Sequence, residues 1–128
     1  MAKKGAVVAA GEHPPGVSID KGAAHATIVI PANAGPLERA AANDLQYVLE
    51  KMTGVALPIA ADSGAIEGNR ILIGETRFTD AIVPREERAA LGKEGYIARL
   101  HGRDLALVGG GPYGHVYAVD ELYDRLGL

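Results

Sequence analysis

The most informative stretch of this chain is residues 94–114, which read EGYIARLHGRDLALVGGGPYG. Two short apolar segments, 96–100 and 105–108, flank the turn residues HGR, and this arrangement predicts a β-hairpin. The second segment runs directly into three consecutive glycines. Pro112 then opens a helix, because proline lacks an N–H that would need a partner at the first helical position. The stretch therefore predicts two strands, a glycine corner and a helix.

Two long helices are marked by apolar side chains at helical spacing. Gly35-Pro36 opens the first helix, and Gly54 has the freedom to end it in a left-handed cap. The second helix follows the glycine corner, spans residues 113–126 and is capped by Gly127. Each helix carries one apolar stripe, which predicts one buried face per helix. The stripes are Leu37, Ala41, Leu45, Val48, Leu49 and Met52 in the first helix, and Val116, Val119, Leu122, Tyr123 and Leu126 in the second.

The remaining elements are short. Segments 17–20 and 26–30 predict a hairpin ended by a proline, and 57–60 predicts an edge strand. Residues 70–74 form a continuous apolar strand, as expected when both faces of a sheet are covered. A short surface helix is expected within 84–91. The whole pattern predicts an α/β (α+β) two-layer sandwich, with a mixed β-sheet and two long helices on one face.

Composition limits the classes of function. The chain has 128 residues, enough for a single domain, and a net charge of −3 without a basic stripe, which makes a nucleic-acid partner improbable. It has no cysteine, so thiolate chemistry and disulfides are excluded. No apolar run approaches the roughly 20 residues of a membrane helix, so no membrane partner is expected. Residues 1–16 are read as a leader and first strand, without a signal peptide, and the compartment stays open.

The glycine corner has two interpretations. Gly109, Gly111 and Gly114 satisfy the G-x-G-x-x-G pattern of nucleotide-binding loops. However, no second strand follows the helix, and Pro112 removes an amide where phosphate would be held. A structural role for Gly109, Gly110, Gly111 and Gly114 is therefore favoured, because glycine permits a tight corner and close packing. A weak nucleotide binder remains as an alternative.

No catalytic or metal-binding pattern stands out. The four histidines do not pair at metal-ligand spacing, the paired carboxylates of the second helix suit a solvated face, and neither serine lies in a nucleophile motif. We therefore predict no catalytic residue, cofactor or metal. Tyr96, Tyr113 and Tyr117 lie near the glycine corner and are candidate carbohydrate contacts, since a tyrosine ring can stack on a sugar.

Four pieces of the sequence, in order, resemble the non-catalytic domain found at the N-terminal side of α-glucuronidases and before the barrel of many β-N-acetylhexosaminidases. The match covers about residues 17–127. The pieces are 41–54 (AANDLQYVLEKMTG) with 57–59 (LPI); 71–74 (ILIG); 94–97 (EGYI); and 107–110 (LVGG) with Gly114, 117–119 (YAV) and 126–127 (LG).

The resemblance implies an α/β sandwich with a structural glycine loop, associated with glycoside hydrolysis. In that family the catalytic carboxylates belong to a (β/α)₈ barrel, which is not expected within residues 1–128. It therefore implies a non-catalytic accessory domain whose partner is a catalytic barrel, with a parent enzyme that is extracellular or periplasmic. Two further expectations are a carbohydrate-binding module using the three tyrosines, and self-association through an apolar face left bare without the barrel.

Overall fold

The structure is a computed structural model that describes residues 26–127. Five strands and three α-helices follow one another along this part of the chain, with a 3₁₀ helix at Thr79–Ala81. The expected strand at 17–20 and the leader 1–16 lie outside the described residues. The bounds are β1 Ala26–Ile30, α1 Pro36–Thr53, β2 Ile59–Ala61, β3 Asn69–Ile73, α2 Arg85–Ala89, β4 Tyr96–His101, β5 Asp104–Gly109 and α3 Pro112–Arg125.

The five strands form one mixed sheet in the order β2-β1-β3-β5-β4. The first four strands in this order run parallel, and β4 joins β5 as the expected antiparallel hairpin. Ile71 of β3 is the centre of the register, since it lies opposite Ile28 of β1 and Leu105 of β5. Because the four parallel strands point the same way, their carboxyl ends meet at one edge of the sheet, called here the carboxyl edge.

The long helices α1 and α3 cover one face of the sheet, as predicted. Ile28, Ile71 and Leu107 lie at the centre of this face and are fully buried against Leu45 and Leu49 of α1 and other apolar side chains. Burial of a single large aliphatic side chain stabilises the fold by about 1.5–3 kcal/mol. This layer is therefore the main source of the stability of the domain.

The opposite face is covered as well, by the segment that links β3 to β4. Ile82 and Val83 of this segment pack on Val29, Leu72 and Ala106. The continuous apolar sequence of β3 follows from this arrangement, because its alternate side chains are buried on opposite faces. The sequence predicted the double burial of β3 but not which segment supplies the second cover.

The ends of α1 follow the signals in the sequence. Pro36 is the first helical residue, and the Gly35 N–H donates to a Glu38 carboxylate oxygen at 2.8 Å, which satisfies one backbone amide at the start of the helix. Gly54 ends the helix with a φ of 79°, in the left-handed region. The predicted burial of one stripe residue is wrong: Met52, in the last turn of α1, is 40% exposed.

Candidate functional site

The three candidate tyrosines do not share one surface. Tyr96 lies on β4 with its ring 5% exposed in the core, and its hydroxyl donates to a Glu121 carboxylate oxygen at 2.9 Å. It cannot stack on a sugar, so its candidate role as a carbohydrate contact is wrong. Tyr113 and Tyr117 of α3 are 61% and 37% exposed, and their spacing of four residues places them on one side of the helix.

In the glycine corner, backbone segments lie in direct contact with one another. A Cβ on Gly109 would lie 2.3 Å from the Gly114 Cα, and one on Gly114 would lie 2.4 Å from the Gly95 carbonyl oxygen. A Cβ on Gly110 would likewise meet the Gly92 carbonyl oxygen at 1.8 Å. Only glycine fits such positions, since the neighbouring atoms are backbone and cannot turn away.

Two amides of this corner already have partners inside the protein. The Gly109 N–H donates to His115 Nδ1 at 2.8 Å, and the Gly110 N–H donates to the Gly95 carbonyl at 3.0 Å. A phosphate-binding loop needs such amides to point at the ligand. The geometry therefore gives the glycines a packing role and offers little to a nucleotide.

A groove runs between α1 and α3 on the outer side of the helical layer. Its volume is about 350 Å³, and its walls are mostly small apolar side chains. In the part of the chain that the structure describes, all the exposed large apolar side chains also lie on these two helices. We call this surface the helical face. It comprises the groove residues Leu37, Ala40, Ala41, Asp44, Val116, Val119 and Asp120, and the exposed Tyr47, Met52, Tyr113 and Tyr117.

A second, polar site lies at the carboxyl edge. Asp62 directly follows β2, and its carboxylate accepts the Ala32 N–H after β1 at 2.9 Å and the Arg77 N–H after β3 at 2.7 Å. One nearly buried carboxylate thus holds together the loops that follow three adjacent parallel strands. Sequence reasoning missed this residue, because its significance depends on the parallel order of the strands.

Arg88 of α2 is anchored beside this clamp. It is 5% exposed, and its guanidinium donates to Glu75 at 3.1 Å, to Asp80 at 2.7 Å and to the Val83 carbonyl at 2.6 Å. These bonds fix the segment between β3 and α2 against the sheet. A charged side chain this deeply buried requires such partners.

His115 also lies near the carboxyl edge, in the first turn of α3, which follows β5. Because its Nδ1 accepts the Gly109 N–H, the neutral ring carries its proton on Nε2, which lies 3.7 Å from a Glu38 carboxylate oxygen. Burial lowers the pKa of His115 below its ordinary value of 6.5, and it outweighs the opposing effect of the Glu38 and Glu75 charges. The ring is therefore held neutral and serves as a hydrogen-bond acceptor in the core.

Within residues 26–127, no group of three or more His, Asp or Glu side chains is arranged to hold a metal ion. No helix in the same range is long and apolar enough to cross a membrane.

No known family model matches the chain, and no curated protein matches it significantly. The likeness to the accessory domain of α-glucuronidases and β-N-acetylhexosaminidases therefore stays a prediction from the sequence motifs.

Proposed function

We propose that this chain is a non-catalytic accessory domain of a glycoside hydrolase and that it docks on the catalytic (β/α)₈ barrel through the helical face. The observation that carries the proposal is the grouping of the exposed large apolar side chains of residues 26–127 on α1 and α3. Tyrosine and methionine are enriched in protein–protein interfaces. The groove on the same two helices is lined mainly by small apolar side chains, and exposed apolar surface of this kind is suited to contact with another protein.

The resemblance motifs support the same role. Gly95, Gly109, Gly110 and Gly114 belong to these motifs, and all four would bring a Cβ within 3 Å of backbone atoms of the corner. Because these glycines lack a side chain, backbone atoms of neighbouring segments pack directly against them. Glycines packed in this way maintain the fold.

An activity assay tests the non-catalytic part of the proposal. The purified chain is expected to release no product from aryl glucuronides or aryl N-acetylglucosaminides above the level of a mock purification from cells that do not express it. Turnover that the wild-type chain retains through repeated purification, and that Glu75→Gln abolishes, would show instead that the carboxyl edge is an active site.

A second candidate function is favoured by the exposure of Tyr113 and Tyr117. Two tyrosine rings one helical turn apart form a small platform on which a sugar chain can stack. Tyr113→Ala is then expected to abolish binding of soluble xylan or N-acetylglucosamine oligomers in isothermal titration calorimetry. Sugar affinity that is unchanged in Tyr113→Ala and Tyr117→Ala would exclude this use of the helical face.

A further inference from the structure

We propose that the polar pocket at the carboxyl edge binds a neutral sugar through adjacent hydroxyl groups. The pocket has a volume of about 540 Å³, within the usual range of small-molecule sites. We call it the switch-point pocket. It is lined by Asp62, Glu75, Thr76, Arg77, Asp80, Arg85 and Arg88. It is separate from the helical face and does not depend on docking to a barrel.

The position of the pocket in the fold is the first observation. From β1 the chain continues through α1, on one face of the sheet, to β2; from β3 it continues across the opposite face towards β4 and β5. The connections of the neighbours β1 and β3 thus diverge at the carboxyl edge, and the pocket beside this point is lined by Asp62, which follows β2, and by residues that follow β3. Ligands of open α/β sheets bind at such a point. Asp62 clamps the loops of both strands there.

The floor of the pocket is rigid. Asp62, Thr76 and Arg88 are 9%, 4% and 5% exposed, and each is held by hydrogen bonds to neighbouring groups. The Thr76 hydroxyl bonds to the Thr79 hydroxyl at 2.8 Å. A floor fixed in this way needs no reordering when a ligand enters, which lowers the entropic cost of binding.

The rim of the pocket is accessible and carries both donors and acceptors. The side chains of Glu75, Asp80 and Arg85 are 57%, 59% and 80% exposed. The Arg85–Asp80 pair is loose, with 3.9 Å between nitrogen and oxygen. A sugar hydroxyl donates one hydrogen bond and accepts others. Neighbouring hydroxyls can therefore donate to the carboxylates and accept from Arg85 at the same time.

The positive and negative charges of the lining residues balance, which favours a neutral ligand. Three carboxylates and three guanidiniums line the pocket, so they leave no net charge to attract a phosphate or a second carboxylate. An anion could reach Arg85 at the rim, but at Arg88 it would have to displace Glu75 or Asp80, whose bonds hold the segment in place. A polyhydroxylated neutral molecule can add its hydrogen bonds without breaking these pairs.

The affinity is expected to be weak. Phe78, the aromatic residue nearest in sequence to the pocket, already has the Arg70 and Arg77 guanidiniums over its ring, 3.8 and 4.6 Å from its centroid. Phe78 is also not one of the residues that line the pocket, so no aromatic ring of the lining is offered to stack on a sugar. We expect a Kd of about 1 mM, which corresponds to a free energy of about −4 kcal/mol.

The test is a ¹⁵N–¹H NMR titration of the whole chain with methyl α-D-glucoside, with glucuronate and with inorganic phosphate as separate probes. Methyl glucoside is expected to shift the amides of 75–77, with glucuronate binding no more tightly and phosphate producing no saturable shift. Shifts produced only by glucuronate and phosphate would overturn the proposal in favour of an anion site. Shifts confined to 113–117 would also overturn it, since the sugar would then bind at the exposed tyrosines.

Two variants and two matched controls test whether methyl glucoside binds in the switch-point pocket. Arg85→Ala and Glu75→Gln are expected to weaken methyl glucoside binding about 10-fold, the effect of losing a hydrogen bond to a charged group. Arg103→Ala and Glu67→Gln remove the same charges from exposed positions at the opposite edge of the sheet and should leave the Kd unchanged. Equal binding by all four variants, or no shift in the wild-type chain up to 100 times the expected Kd, would show that the side chains form only a structural ion-pair network.

Discussion

The stability of the folded protein depends on the protonation state of the His115 imidazole ring. Its Nδ1 must be unprotonated to accept the Gly109 N–H, and burial lowers its pKa below 6.5. In the unfolded chain the ring protonates near 6.5, so below this pH the unfolded state binds more protons than the folded state. The stability contributed by His115 is therefore complete above pH 6.5 and is lost as the pH falls towards the lower, folded pKa.

A His115→Asn variant tests this coupling. At pH 7.5 we expect a loss of about 1–3 kcal/mol, because the smaller amide side chain leaves a buried cavity where the imidazole ring packed. Between pH 7.5 and 5 the urea unfolding midpoint of the variant should vary less than that of the wild type. His101→Asn, at an exposed position of the β4–β5 turn, is the control and should keep the wild-type slope. A wild-type midpoint that stays constant from pH 7.5 to 5 would contradict the prediction.

Gly114 is the residue at which the structural and the nucleotide-binding interpretations of the glycine corner differ most clearly. A Cβ there would lie 2.4 Å from the Gly95 carbonyl oxygen and 2.8 Å from the Gly109 Cα. Overpacking of this kind costs about 1–3 kcal/mol, more than the roughly 1 kcal/mol by which alanine is favoured over glycine in a helix. We therefore expect Gly114→Ala to lower the midpoint of thermal unfolding by several degrees.

The control for this variant is Gly64→Ala, since a Cβ at Gly64 meets nothing within 4 Å. Its free energy of unfolding should stay within about 0.5 kcal/mol of wild type. A Gly114→Ala variant that kept full stability but lost affinity for ATP or NAD would favour the nucleotide-binding loop.

At the scale of elements, α1 and α3 are joined by a hydrogen bond between side chains far apart in sequence. The Tyr123 hydroxyl donates to an Asp44 carboxylate oxygen at 2.6 Å. Half-burial and the nearby Asp44 charge raise the pKa of Tyr123, so the hydroxyl keeps its proton over the physiological range. The bond therefore stabilises the packing of the two helices that form the helical face.

Tyr123→Phe removes this bond and keeps the ring. We expect the free energy of unfolding to fall by about 1 kcal/mol, the usual net value of one hydrogen bond, as measured by urea titration at pH 7.5. Tyr47→Phe, at an exposed position of α1, should change it by less than about 0.5 kcal/mol. An equal effect of both substitutions would mean that the Asp44–Tyr123 bond contributes nothing.

The sequence allowed most elements to be predicted, because their signals are local. Pro36 and Gly54 mark the ends of α1, and the turn at Gly102 marks the β4–β5 hairpin. The strand order and the parallel pairing could not be predicted, since they depend on contacts between distant segments. For this reason Asp62 was not recognised as a candidate site residue. The predicted exposure of Tyr96 is wrong, because the position of a residue on a strand does not tell which face of the sheet is buried.

Across the whole molecule, the two proposed binding sites differ in chemistry and share no lining residue. The helical face is apolar and is suited to a protein partner, whereas the switch-point pocket is polar and charge-balanced and is suited to a sugar. An accessory domain with both features would hold a barrel on one surface and contact carbohydrate at another. Variants at the two sites should therefore have independent effects, because the sites share no lining residue.

The most direct test of the docking proposal is sedimentation velocity of the chain mixed with catalytic barrels of an α-glucuronidase and a β-N-acetylhexosaminidase, each lacking its own accessory domain. We predict a one-to-one complex with at least one barrel at micromolar concentrations, lost in Tyr113→Ser/Tyr117→Ser and retained in Arg85→Ala. Failure to form a complex with either barrel, or a complex that survives loss of both tyrosines, would contradict docking through the helical face.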